Sequence, residues 1–194
     1  MEKKRLESFS DGVLAIIITI MVLELEVPHG TGAESLRPLF PVFLSYVLSF
    51  VYLAIYWNNH HHMLHTCRQV TGAILWANLH LLFWLSLVPF TTAWMGQNDF
   101  SPIPVLVYGI VLLMAAIAYW ILQQLIIGSQ GPDSLLRRAV GSDWKGKVSP
   151  LLYVVAIVAA VGLRWVSMAL YVLVALLWLV PDRRIERALA DGRP

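Results

Sequence analysis

A polytopic bundle of six transmembrane α-helices is predicted by three features of the sequence. Of its 194 residues 58% are hydrophobic and only 13% charged, and the mean hydropathy is +0.68, far outside the soluble range. The apolar residues form continuous runs, whereas a membrane barrel would alternate apolar and polar positions. Most of those runs reach, or come close to, the roughly 20 residues that cross a bilayer as a helix.

The first span is placed at about residues 10–27, after a basic start. Ser10 and Asp11 interrupt that junction and no small-x-small site follows the apolar run, which is unlike a cleaved signal peptide. The second span, about 39–62, ends in the polar run Asn58-Asn59-His60-His61-His62, with His65 just beyond. The third, about 70–95, contains Pro89 before Phe90, Thr91 and Thr92, read as a kink or a helix end. Pro102 and Pro104 open the fourth, about 103–128. The fifth and sixth, about 148–163 and 165–181, are short and are joined by the tight turn Gly162-Leu163-Arg164-Trp165. Tilt and local thinning absorb the mismatch, a re-entrant hairpin being the alternative, and Pro150 is placed in the first turn of the fifth.

Ser45, Ser49 and Ser86 read as small helix-packing residues, and Trp94, Trp144, Trp165 and Trp178 as anchors near membrane boundaries. Residues 1–194 form one domain, with no strong repeat between the two three-helix halves.

Drawn with six spans, the chain puts twelve of its 14 Lys and Arg on one side; only Arg37 and Arg164 face the other way. The positive-inside rule then makes both termini cytoplasmic. Because these basic residues sit in short loops beside apolar segments, they report topology and not a nucleic-acid partner. The single cysteine, Cys67, excludes an intrachain disulfide.

On the first helix, at 100° per residue, Phe9, Gly12, Ile20, Leu23 and Val27 all fall within about 40° of Ile16, and Thr19 lies about 60° to one side. This continuous stripe is either a pore wall or a packing seam. Ser10 and Asp11 stand about 120° and 140° from Ile16, off that face. A carboxylate there needs a hydrogen-bond donor or a cation. Candidates within reach are Arg5 and the polar groups at the inner ends of the next two spans, among them His60, His61 and Asn78, with an interfacial N-cap or first-turn anion as the simpler alternative. At the far end Glu24 and Glu26 add to the negative helix terminus, and an oligomer with this helix at its axis would present an acidic mouth that concentrates cations; solvated anchors are the alternative.

The pattern R-x-x-x-F-S-D, met here as Arg5, Phe9, Ser10 and Asp11 and followed by GVLAIIITIMVLELEVP, resembles the signature of the transmembrane protein 175 family of potassium channels, in its bacterial, single-unit branch. The likeness continues through YWNNHHHMLH and ANLHLLFWLSLVPFTTAW and covers about the first half of the chain; spans four to six match only in number and length. The resemblance implies a homotetramer in the bacterial inner membrane, with the first helix of each subunit around a central pore. It implies a constriction at Ile16, Ile20 and Leu23 with Thr19 beside it, and an intrasubunit polar network of Arg5, Ser10 and Asp11 with His60, His61 and Asn78. No TVGYG-type carbonyl filter occurs, so selectivity for K⁺ over Na⁺ would be modest and set by dehydration and pore width.

Other readings lead elsewhere. His61 and His65 have a spacing that zinc accepts. His80, deep in span three, invites a b-type haem but lacks a histidine at matched depth. A secondary transporter of a cation or small solute would use Asn78, His80, Gln123 or Gln124, although spans one, four and six carry no central acid. Nothing resembles a hydrolase or transferase constellation, so neither an enzyme nor a resident cofactor is expected, only permeant monovalent cations.

Overall fold

The computed structural model describes residues 2–131, 134, 136–137 and 144–179. Helix α1, Lys3–Leu23, begins seven residues before the expected span and ends four earlier. Hydropathy marks only the apolar stretch. The helix itself starts in the polar lead, where Lys3 and Glu7 pair one turn apart at 3.9 Å and Leu6 is buried. Asp11 is therefore nine residues into the helix, which corrects its placement as an N-cap or first-turn anion.

After a short 3-10 turn, Ala33–Leu39, helix α2 runs Phe40–Thr66. The expected third span is two helices, α3 (Gly72–Ser86) and α4 (Val88–Gln97). Pro89 explains the break: its ring excludes the carbonyl four residues back and it carries no N–H, but it fits the first turn of a new helix. Helix α5, Pro102–Ser129, matches its expected span within a residue at each end. Helices α6 (Trp144–Ala159) and α7 (Arg164–Leu179) form a hairpin about the Gly162 turn. Because α6 starts at Trp144, Pro150 is inside that helix and not in its first turn. Val180 and Pro181, the expected end of the sixth span, lie outside the described residues.

Four segments are long and apolar enough to cross a bilayer: Lys3–Leu23, Ala33–Thr66, Gly72–Gln97 and Pro102–Ser129. At about 1.5 Å per residue, the 16 residues each of α6 and α7 give roughly 24 Å, short of a core of about 30 Å. Among the described residues there is no strand, in keeping with the predicted all-α class.

Two apolar cores divide the bundle. The first joins Leu6, Leu14, Ile17 and Met21 of α1 to Leu53 and Met63 of α2, to α3, and to the Val111, Ala115, Ala118 and Leu122 side of α5. The second joins Val105, Tyr108 and Leu112 of α5 to Tyr52, to Met95 of α4, and to Tyr153, Ala156, Tyr171 and Val174 of the hairpin. Helix α5 is shared by both.

Where α4 crosses α2 the backbones nearly touch. A Cβ on Gly96 would lie 2.7 Å from the Cα of Val42 and would strike the Ser45 hydroxyl. Ser45 and Ser49 are fully buried at this crossing, as small packing residues should be, whereas Ser86 is exposed. Backbone cannot yield as a side-chain end can, so Gly96→Ala is expected to destabilise by about 1–3 kcal/mol, measured as a lower thermal midpoint in detergent.

Candidate ion pathway and polar brace

Helix α1 has two unlike faces. Leu6, Ser10, Leu14, Ile17 and Met21 are buried against α2, α3 and α4. On the other side Phe9, Gly12, Ile16, Thr19, Ile20 and Leu23 are all exposed, Ile16 at 59% and Leu23 at 77%. Thr19 donates its hydroxyl hydrogen to the Ile16 carbonyl at 3.0 Å, which leaves the oxygen lone pairs facing outward. Ser8, Gly12, Ala15 and Thr19 form a line of small exposed residues one turn apart, and nothing lies within 4 Å of the position a Cβ would take on Gly12.

Beside this face an open groove of about 740 Å³ runs between α1 and α4, lined by Ile16, Ile20, Pro89, Phe90 and Trp94. Its polar end is made by Glu24, which caps the C-terminus of α1, and by Gln97. Glu26 is exposed in the following loop.

At the other end of α1 the helices are tied by polar bonds. Ser10 donates to the Leu6 carbonyl at 2.9 Å and accepts from Asn78 Nδ2 at 3.0 Å. Asn78 Oδ1 lies 2.7 Å from Nε2 of His60. Since a carbonyl oxygen only accepts, His60 Nε2 is the donor. All three side chains are buried, so one relay links α1, α3 and α2. It satisfies groups that would otherwise be stranded in an apolar layer.

Asp11 stands outside that relay. It accepts a 3.0 Å bond from Trp57 Nε1, which ties α1 to α2 a second time. Arg5 is exposed, in a groove between α1 and α3 beside Phe9, Leu75 and Trp76. Among the described residues the ion pair at this end is Lys3–Glu7. His61 is one residue, and so about 100°, around α2 from His60 and faces outward. The structure thus brings Ser10, His60 and Asn78 together and places Arg5, Asp11 and His61 apart from them. Cys67, just past α2, is buried, and burial pushes its thiol up, away from reactive thiolate.

Two tryptophan partners were missed in the sequence. Trp57 serves Asp11, and Trp84 donates to Nε2 of His80 at 2.9 Å. Trp84 lies four residues after His80, at helical spacing, whereas Trp57 is 46 residues from Asp11 on another helix. An indole N–H beside an intramembrane acceptor was the available signal. Among the described residues no group of three or more His, Cys, Asp or Glu could hold a metal ion.

The family model, the relatives and the solved structure that this helical bundle matches here are all ion channels. The family model described as endosomal/lysosomal potassium channel TMEM175 matches residues 5–89. A potassium channel of Chryseobacterium sp. (strain P1-3) is 54% identical over 192 residues, covering 99% of this chain and 100% of that one. The crystal structure of a lysosomal potassium-selective channel TMEM175 homolog from Chamaesiphon minutus superposes with a TM-score of 0.79 at 28% identity, over 93% of this chain and 98% of that one. The endosomal/lysosomal proton channel TMEM175 of Gallus gallus is 31% identical over 101 residues, which cover 46% of this chain but 20% of that longer protein. The chain belongs to the TMEM175 family.

Proposed function

We propose that this chain is the subunit of a homotetrameric, potassium-selective channel of a bacterial cell membrane, with four copies of α1 around the pore. Ile16, Ile20 and Leu23 form an apolar constriction that serves as filter and gate. Water leaves such a constriction readily, so an ion pays for each ligand it sheds. Potassium sheds water at lower cost than sodium, and the outward lone pairs of Thr19 replace part of its shell. Selectivity is accordingly modest. Glu24 and Glu26 raise the local cation concentration at the outer mouth.

The observation that carries this reading is the exposed face of α1. Lipid would suit its isoleucines alone; a face that also carries a line of small residues and runs to Glu24 fits an approach of helix to helix beside a polar mouth. Small residues let helix backbones approach closely, which four helices at one axis require. At the inner end the Ser10–Asn78–His60 relay and the Trp57–Asp11 bond brace each pore helix from behind, and Arg5 lies at the adjoining surface. The charge distribution along the sequence puts this braced end, and both termini, in the cytoplasm.

Reconstitution in planar bilayers under opposed K⁺ and Na⁺ gradients tests the reading. A reversal potential displaced toward that of K⁺ is expected, from particles whose protein mass is about four times the 21.8 kDa of one chain. Saturable, proton-coupled uptake with no electrodiffusive current would replace the channel by a transporter. Gly12→Leu, which thickens the line of small residues, should reduce the tetramer fraction at unchanged monomer fold.

A further inference from the structure

The exposed side of α2 at its inner end carries a ladder one turn per rung: Trp57, His61 and His65. The Trp57 and His61 rings stack at 6.1 Å with 27° between their planes, and the His61 and His65 centroids are 6.4 Å apart. We propose that His61 and His65 form a two-imidazole site for one borderline divalent transition-metal ion, zinc or copper(II).

Side chains four residues apart on a helix are neighbours on one face. A tetrahedral zinc with bonds of about 2.1 Å holds two ring centroids roughly 5 Å apart, so a small χ rotation of two exposed rings closes the pair. Imidazole suits zinc and copper(II), whereas potassium, magnesium and calcium prefer oxygen. Among the described residues the buried relay takes His60 and neither of these two rings, and His61 also meets the His62 ring edge-on at 5.6 Å. The nearest cation on α1, Lys3, bonds the His65 carbonyl at 2.6 Å and lies 3.9 Å from Glu7, so its charge is partly balanced.

The His61 ring is positioned before any ion arrives. Trp57 covers one face of it, and the indole is itself pinned by Asp11 of α1 at 3.0 Å. The stack narrows the orientations the ring samples before it turns toward His65. It also makes the site report on α1, because turning the His61 ring toward His65 alters the stack against Trp57. With only two protein ligands the remaining positions go to water and the ion exchanges readily, which separates this site from a closed structural zinc.

The full-length protein in detergent micelles, titrated with Zn²⁺ alone by calorimetry, tests the site. One ion per chain is expected, with His61→Ala and His65→Ala each weakening binding at least roughly tenfold and the double variant abolishing it. His29→Ala, in the outer loop, should leave binding unchanged. With Cu²⁺, electron paramagnetic resonance should show two equatorial nitrogens, and the quenching of tryptophan fluorescence should diminish in Trp57→Phe. Unchanged Zn²⁺ affinity and stoichiometry in the double variant, or a copper spectrum with one nitrogen, would overturn the proposal.

Discussion

Ile16→Asn should open a leak. In the proposed tetramer, four amide side chains at the proposed apolar ring would hold water there, and the barrier to wetting that excludes hydrated ions would fall. Each 1.4 kcal/mol taken from that barrier is worth about tenfold in rate, so roughly a tenfold rise in unitary conductance is expected, with the K⁺/Na⁺ reversal potential moving toward zero. The contrast with the next residue is the control. Ile17 is 4% exposed and belongs to the first core, so Ile17→Asn buries an unpaired amide and should lower the yield of folded protein without yielding an altered pore. Wild-type conductance and reversal potential in Ile16→Asn would remove α1 from the pore wall.

Asn78→Leu should be the most damaging substitution in the brace. It keeps the branched shape, at a larger volume, but withdraws the acceptor of His60 Nε2 and the donor to Ser10. The Ser10 hydroxyl keeps its bond to Leu6, so the stranded group is the histidine N–H. Leaving it buried and unpaired should cost about 1–3 kcal/mol. Adding His60→Leu removes the orphan, and part of the lost thermal midpoint should return, since deleting both partners of a buried bond is far cheaper than deleting one. If the double variant were no more stable than the single, the relay would not be the source of the loss.

How much of this was legible in the sequence varied with the kind of signal. Hydropathy located the long apolar helices, because an apolar run is what it measures. It misjudged the start of α1, because the lead from Lys3 to Ser8 is polar and its helix is held by an i,i+4 pair and by burial of Leu6, which a hydropathy window cannot register. Pro89 was visible as a disruption, but whether it bends one helix or divides two depends on tertiary packing: α3 lies mainly along α5 and α4 along α2. The 100° periodicity separated Ile16 from Ser10 correctly, since both faces belong to one helix and need no partner to define them. Pairings between helices were another matter. Ser10 with Asn78 and Asp11 with Trp57 join residues 68 and 46 apart in sequence, and nothing local specifies which of several histidines, asparagines and tryptophans will meet. Gly96 was unreadable for the same reason, being required by the backbone of Val42 on another helix.

The division into two cores separates α1 from the hairpin of α6 and α7. The second core draws on α2, α4, α5 and the terminal hairpin but contains no residue of α1, while the family model stops at residue 89. Side chains of that second core pack mainly on one another, whereas α5 also lines the first core with α1 and Gly96 is held by the backbone of Val42. The exposed Gly162 turn, beside the core that contains no residue of α1, is accordingly a position at which an epitope or fluorophore can be spliced in while the current is still being recorded.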